Sequence, residues 1–233
     1  MIDIVWVHGF PLSSHVFDHQ RSIEANHLMP DLLGFGGTPA GTEQSIDDYA
    51  RFVLDRVERR SIFAGVSMGG YVCFAIARIA PEKVSGLILI DTRETTDTPE
   101  GRKGRYDMIE KVKKDGIKPV VDSMLPKMVV SSDKVAEVRR IMESSSAQGV
   151  INALRAMAER RDSSDLLPKL NVPALVVAGD QDTITPPADA ERMARALPDA
   201  KLVVVRGAAH LSNLDKAEDF NRAVTEWLTA PPP

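Results

Sequence analysis

Gly65-Val66-Ser67-Met68-Gly69-Gly70 sets a serine between glycines in the pattern G-x-S-x-G. The run before it, Ser61–Ala64, is short and apolar and predicts a buried strand. The small apolar residues after it, Tyr71–Ala80, predict a helix. A serine on such a strand-to-helix turn is held in a strained backbone conformation. Its hydroxyl stands exposed beside a helix N-terminus, whose dipole favours developing negative charge. Gly65 and Gly69 would let neighbouring backbone pass without a Cβ clash. A glycine-rich turn with a capping serine would share the spacing, but the flanking strand and helix favour a nucleophile.

A serine hydroxyl needs a base to attack at neutral pH. Of five histidines, His210 stands out. It follows the apolar run Lys201–Val205 across Arg206-Gly207-Ala208-Ala209 and precedes the last helical stretch. A histidine on such a loop can lean over the sheet edge toward Ser67. The acid that orients its imidazole should lie between the two in the chain order Ser, Asp, His. Gly179-Asp180-Gln181-Asp182 directly follows the apolar run Ala174–Ala178. Asp182 is the first choice, Asp180 the second, and Asp91, at the end of Gly86–Ile90, the third. A turn or a helix N-cap is the ordinary use of each. At the N-terminus, Trp6-Val7-His8-Gly9-Phe10-Pro11 runs a strand into a His-Gly turn. That turn can aim the Phe10 amide at the reacting centre, with the Met68 amide as a second donor. Two such donors form an oxyanion hole, each worth about 3 kcal/mol of transition-state stabilisation. His8 itself is expected to be structural, its imidazole turned back into the loop.

These residues need a scaffold that brings strand ends together. Ile2–Val7, Ser61–Ala64, Gly86–Ile90, Ala174–Ala178 and Lys201–Val205 predict buried parallel strands, and His27–Pro30 a weaker one. Ser45–Arg59, Tyr71–Ala80, Ala188–Leu197 and Ala217–Leu228 predict helices. The alternation argues an α/β fold with a mostly parallel sheet. From about Arg93 to Asn171 no strand is expected. Three apolar stripes predict helices there: Val120, Val121, Met124, Leu125 and Met128; then Val135, Val138 and Met142; then Val150, Leu154 and Met157. The expected division is a sheet core over 1–92 and 172–233 and a helical cap over 93–171, lying over the sheet edge. Met108, Met124, Met128, Met142 and Met157 all fall in the cap. They either fill helix-packing gaps or line an adaptable apolar pocket, for which Met124, Leu125 and Met128 are the candidates.

Composition narrows the function classes. The chain has 233 residues, 43% hydrophobic and 27% charged, with a net charge of −4. Without a basic excess, nucleic acid or an anionic membrane is not the expected partner. Cys73 is the single cysteine, which excludes an intrachain disulfide and a cysteine zinc cluster. No apolar run is long enough to span a bilayer. Met1–Val7 carries an acid and no basic region, so no targeting segment is expected and the cytoplasm is the simplest compartment. Pro231-Pro232-Pro233 reads as an extended, disordered end.

The motifs together resemble the α/β-hydrolase superfamily over nearly the whole chain. His8-Gly9-Phe10-Pro11 looks like its oxyanion turn, Asp31-Leu32-Leu33-Gly34-Phe35-Gly36 like its D-x-x-G-x-G loop, and Gly65–Gly70 like its nucleophile elbow. Gly179–Asp182 with Thr185-Pro186-Pro187 looks like the acid loop, and Ala209-His210-Leu211-Ser212-Asn213-Leu214 like the histidine loop. The resemblance implies Ser67 as nucleophile, Asp182 as orienting acid, His210 as general acid/base, and the Phe10 and Met68 amides as oxyanion donors. The C-terminal half is similar to bacterial carboxylesterases and 3-oxoadipate enol-lactonases. That implies hydrolysis of small to medium carboxylic esters or lactones through an acyl-enzyme, with no cofactor and no metal, by a monomer or homodimer. Enol-lactone substrates bear a carboxylate, for which Arg155, Arg160 and Arg161 are candidate partners, although solvent exposure is their expected fate.

Haloalkane dehalogenases and epoxide hydrolases share the fold but use an aspartate at the elbow, so Ser67 argues against both. C–C bond hydrolases, perhydrolases, hydroxynitrile lyases and slow-turnover small-molecule receptors keep a serine triad and stay open as alternatives. One departure is the short N-terminus. Family members ordinarily carry two antiparallel strands ahead of the His-Gly strand, and here seven residues precede His8. A sheet of about six strands follows, with the His27–Pro30 strand as an edge that needs a covering loop or a second copy.

Overall fold

A computed structural model describes residues 2–230; the expectation for Pro231–Pro233 lies outside the described residues. Strands β1 (Asp3–Val7), β2 (Asn26–Leu28), β3 (Ser61–Val66), β4 (Val84–Ile90), β5 (Ala174–Gly179) and β6 (Ala200–Val205) form one sheet in the order β2-β1-β3-β4-β5-β6. Every neighbouring pair is parallel. The central strands are buried on both faces, as their unbroken apolar runs require. Alternation along each strand divides the core in two. Val5, Val7, Phe63, Leu87, Leu89 and Val176 face one way, and Ile4, Trp6, Ala64, Ile88, Ile90 and Val177 the other.

Helices α1 (Ile46–Leu54), α2 (Met68–Ile79) and, later in the chain, α7 (Pro187–Ala196) bury apolar residues in the first of these layers. A 3₁₀ segment, Ser14–Ser22, and the closing helices α8 (Ser212–Asp215) and α9 (Ala217–Thr229) bury theirs in the second. The first helix is shorter than the apolar spacing predicts. A capping box between Ser45 and Asp48 starts it, but it ends at Leu54. The Arg56 and Val57 amides then bond three residues back, and Val57 still reaches the core. Two strands also differ from expectation. The second strand begins at Asn26 and stops at Leu28, two residues short of Pro30. Strand β6 is only half-buried, because it is an edge strand with no neighbour on its outer side. Strand β2 pairs on one side only, with β1; three residues long, it presents little edge.

Between β4 and β5 the chain runs through α3 (Pro99–Asp115), α4 (Lys118–Met128), α5 (Val135–Glu143) and α6 (Ala147–Ala158). These helices have no core of their own: Ile109, Val112, Val150 and Leu154 join the same apolar cluster as α1 and α2. Helix α6 is fastened to the loop after β2. The Ser146 amide and hydroxyl both donate to the Gly34 carbonyl, at 2.9 and 3.0 Å. A Cβ on Gly149 would sit 2.5 Å from Gly34 Cα, so backbone touches backbone there. The stripe predicted on α4 splits into two faces. Val120 lies in the first cluster, while Val121, Leu125 and Met128 lie in the second.

Candidate active site

Ser67 sits between β3 and α2 with φ 53° and ψ −115°. That conformation costs a non-glycine residue about 1–3 kcal/mol, so the surroundings must hold it. They do so from three sides. The Ser67 amide donates to the Ile90 carbonyl at 2.9 Å, and the Ser67 carbonyl accepts the Thr92 hydroxyl at 2.7 Å and the Gly70 amide at 2.9 Å. The flanking glycines permit the crowding: a Cβ on Gly65 would lie 2.4 Å from the Gly69 carbonyl, and one on Gly69 would lie 1.9 Å from the Val7 carbonyl oxygen. The start of α2 is thereby pressed against the end of β1, beside the His8-Gly9 turn.

The structure brings three of the expected residues into one hydrogen-bonded chain. Ser67 Oγ is 2.9 Å from His210 Nε2, and His210 Nδ1 is 2.8 Å from Asp182 Oδ2. An imidazole that donates from Nδ1 leaves Nε2 as the acceptor for the serine hydroxyl. His210 is fully buried and Asp182 nearly so. Asp182 is further held by the amides of Ile184 and Thr185 on Oδ1 and by the Thr185 hydroxyl on Oδ2. Burial alone would push this carboxyl up. The neighbouring His210 and the bonds from His210 and Thr185 outweigh it and hold the group below its ordinary range.

The other two acid candidates serve elsewhere. Asp180 accepts the Gly207 amide at 2.7 Å and closes the turn after β6. Asp91 accepts from Gly179 and Ser212 rather than from His210. His8 is buried: Nδ1 donates to the Gly9 carbonyl, and Nε2 accepts the Leu32 amide at 2.9 Å. It ties the His-Gly turn to the Asp31–Gly36 loop, and burial holds its pKa down at about 4. The Phe10 residue lies on the wall of the cavity that Ser67 opens into. Among the described residues, no backbone acceptor outside the regular elements takes the Phe10 or the Met68 amide.

That cavity has a volume of about 400 Å³. Its apolar wall includes Tyr71, Met108, Val120, Met124, Leu154 and Met157, and its polar wall Ser123, Arg105 and Lys127; no Asp or Glu lines it. Of the three substrate-contact candidates, Met124 lines it, whereas Leu125 and Met128 do not. Positions 120, 123, 124 and 127 share one face of α4, and 121, 125 and 128 turn to the second core. None of Arg155, Arg160 and Arg161 lines it. Arg160, expected at the surface, is buried: it bonds Asp97 and lies over the Tyr71 ring, 4.3 Å from its centroid. A larger hollow, about 740 Å³, opens at the opposite end of the sheet beside Pro173 and Trp227, away from Ser67.

Several residues at the site escaped the sequence reading. Thr185 and Ser212 stood inside recognised motifs, but a side chain's partner is not visible in a motif. Thr92 and Asp215 had no local signal, because their partners Ser67 and Val130 are distant in the chain, and Arg105 and Lys127 had none, because only the fold brings α3 and α4 to the cavity. Among the described residues, no group of three or more His, Cys, Asp or Glu is placed to hold a metal ion, and no helix is long and apolar enough to cross a membrane.

Comparison with known proteins agrees with the fold. A sequence model of the Alpha/beta hydrolase family matches residues 4–223. A pimeloyl-[acyl-carrier protein] methyl ester esterase of Neisseria meningitidis serogroup A is 31% identical, over 92% of this chain and 72% of its own length. The 3-oxoadipate enol-lactonase 2 of Acinetobacter baylyi is 27% identical, over 82% of this chain and 73% of its own. A thermophilic esterase from Thermogutta terrifontis, solved with malate bound, superposes with a TM-score of 0.91 at 34% identity, covering 98% of this chain and 89% of that one.

Proposed function

The chain belongs to the alpha/beta hydrolase family, and from that premise we propose that it hydrolyses carboxylic esters or lactones of small to medium size through an acyl-enzyme on Ser67. The hydrogen-bonded chain Ser67–His210–Asp182, opening into a largely apolar cavity, carries this reading. His210 Nε2 takes the hydroxyl proton as Ser67 Oγ attacks the carbonyl carbon. The Phe10 and Met68 amides hold the oxyanion, each worth about 3 kcal/mol. The C–O bond to the leaving alcohol breaks as His210 returns the proton to it. Water then attacks the acyl carbon with His210 again as base, and the acid leaves as Ser67 regains its proton. Asp182 keeps the imidazole in the Nδ1–H tautomer and stabilises the imidazolium. Residues 93–171 serve as a cap whose helices α3, α4 and α6 form the acyl-side wall.

The test is a panel of p-nitrophenyl esters from acetate to octanoate. Sustained multiple turnover that Ser67→Ala abolishes, with the thermal transition retained, is the expected result. A single burst, or ligand stabilisation without turnover, would instead support a receptor. Wild-type rates in Ser67→Ala would refute the site.

A second feature refines the substrate class. The cavity wall carries Arg105 and Lys127 and no carboxylate. Arg105 is already engaged by Asp97, which leaves Lys127 as the cation facing the ligand space. Lys127 suits an acyl or lactone substrate with a free carboxylate at its far end, and the related Thermogutta esterase was solved with a dicarboxylate, malate, bound.

A further inference from the structure

Among the described residues, two non-glycine positions have positive φ: Ser67 at 53° and Asp91 at 44°. The first is the nucleophile's turn. The second lies at the end of β4, and its surroundings connect it to everything that surrounds the nucleophile. Its two chain neighbours grip Ser67, Ile90 through its carbonyl and Thr92 through its hydroxyl. Its own carboxylate, with no exposed surface, grips the other two loops. Oδ1 accepts the Gly179 amide at 2.8 Å, and Oδ2 accepts the Ser212 amide at 2.8 Å and the Ser212 hydroxyl at 2.7 Å. Gly179 opens the loop that carries Asp182, and Ser212 follows His210 by two residues.

We propose that Asp91 is a positioning residue that ties the Asp182 loop and the His210 loop to the Ser67 turn. The proposal rests on the roles given above to Ser67, His210 and Asp182.

Three donors converge on this side chain, and only an ionised carboxylate accepts from all of them without presenting a donor of its own. Asparagine would turn an NH₂ toward a donor. A protonated carboxyl would do the same with its O–H. The titratable groups facing Asp91 are Asp182 from the loop after β5 and His210 from the loop after β6; Ser212 supplies neutral donors. Asp215, nearby in α8, turns its carboxylate to Val130, Ser131 and Ala209 instead. Burial, and then the Asp182 charge, push the Asp91 carboxyl up to about 7, while His210 and the Ser212 bonds oppose them. Acidification would place an O–H among converging donors, loosening the two loops together.

The experiment measures pH profiles of kcat and kcat/KM for p-nitrophenyl butyrate with the wild type, Asp91→Asn and Ser212→Ala, alongside the His210 ring resonances by NMR over the same pH range. In Asp91→Asn the plateau kcat should fall about tenfold through misplacement of the two loops. Its acidic fall should be shallower than that of the wild type, because the carboxyl whose protonation loosens the loops is gone. Ser212→Ala removes a donor and keeps every charge, so kcat should fall about threefold with the acidic fall in place. A uniformly lower profile for Asp91→Asn with the wild-type acidic fall would overturn the role given to protonation of Asp91. Wild-type kcat in Ser212→Ala would overturn the positioning part, and this arm holds even if Asp91→Asn does not fold. If the wild type turns over no ester at all, the hydrolase reading fails by itself. The His210 ring resonances should still be displaced in Asp91→Asn at pH 8, and unmoved resonances would reject the tie to the His210 loop.

Discussion

The Asp215 carboxylate accepts the Val130 amide at 2.8 Å, joining the histidine side of the site to the end of α4. The same two oxygens take the amides of Ser131 at 2.9 Å and Ala209 at 2.8 Å, and the Leu211 amide donates to the Met128 carbonyl at 2.9 Å. The peptides on both sides of His210 are therefore tied to residues 128–131, which end the helix that lines the cavity. Asp215→Ala should cost about 3 kcal/mol of stability, since three amides lose a charged acceptor. It should also lower kcat by more than it raises KM. Unchanged kcat with an intact fold would show that the His210 loop holds itself. Denaturant titration and steady-state kinetics check both halves.

Strain at Ser67 predicts an order among inactive variants. Ser67→Ala and Ser67→Gly both lose the hydroxyl and both leave His210 Nε2 without its partner. Only glycine relieves the positive φ. Ser67→Gly should be more stable than Ser67→Ala by about 1 kcal/mol. Equal thermal midpoints would mean that the turn stores no strain.

His8 predicts acid sensitivity. Burial lowers its folded pKa to about 4 from 6.5. A depressed folded value means that the unfolded chain binds the proton first. The contribution is therefore complete above pH 6.5 and is lost as pH falls from 6.5 toward 4. At pH 4.5 the loss is about 2–3 kcal/mol. His8→Gln, which can still accept the Leu32 amide, should show a flatter stability curve over that window, measured by thermal unfolding at each pH.

Lys127 predicts a charge preference. Monomethyl adipate should be favoured over methyl hexanoate in kcat/KM by about threefold at low salt, less at high salt. Lys127→Glu should invert the ratio. A ratio that does not respond to either change would remove Lys127 from substrate recognition.

Much of this site was legible in the chain. G-x-S-x-G after an apolar strand, a histidine after the last strand and an aspartate between them are local patterns, and local patterns follow from backbone sterics and hydrophobic period. What the chain could not show was which partners meet. Asp180 and Asp182 are two residues apart in one loop, and only the packing of β6 against β5 turns Asp182 to His210 and Asp180 to Gly207. Helix α4 has apolar residues at 120, 121, 124, 125 and 128, and sequence alone merges them into one stripe. Two separate cores, one above and one below the sheet level, divide them into Met124 at the cavity and Leu125 and Met128 in the interior. Arg160 is surface-like by type, yet Asp97 and the Tyr71 ring bury it. Types and order are encoded locally, because each strand and turn forms from its own residues. Pairings such as Asp91 with Ser212, across 121 positions, arise only when the sheet sets its strand ends side by side.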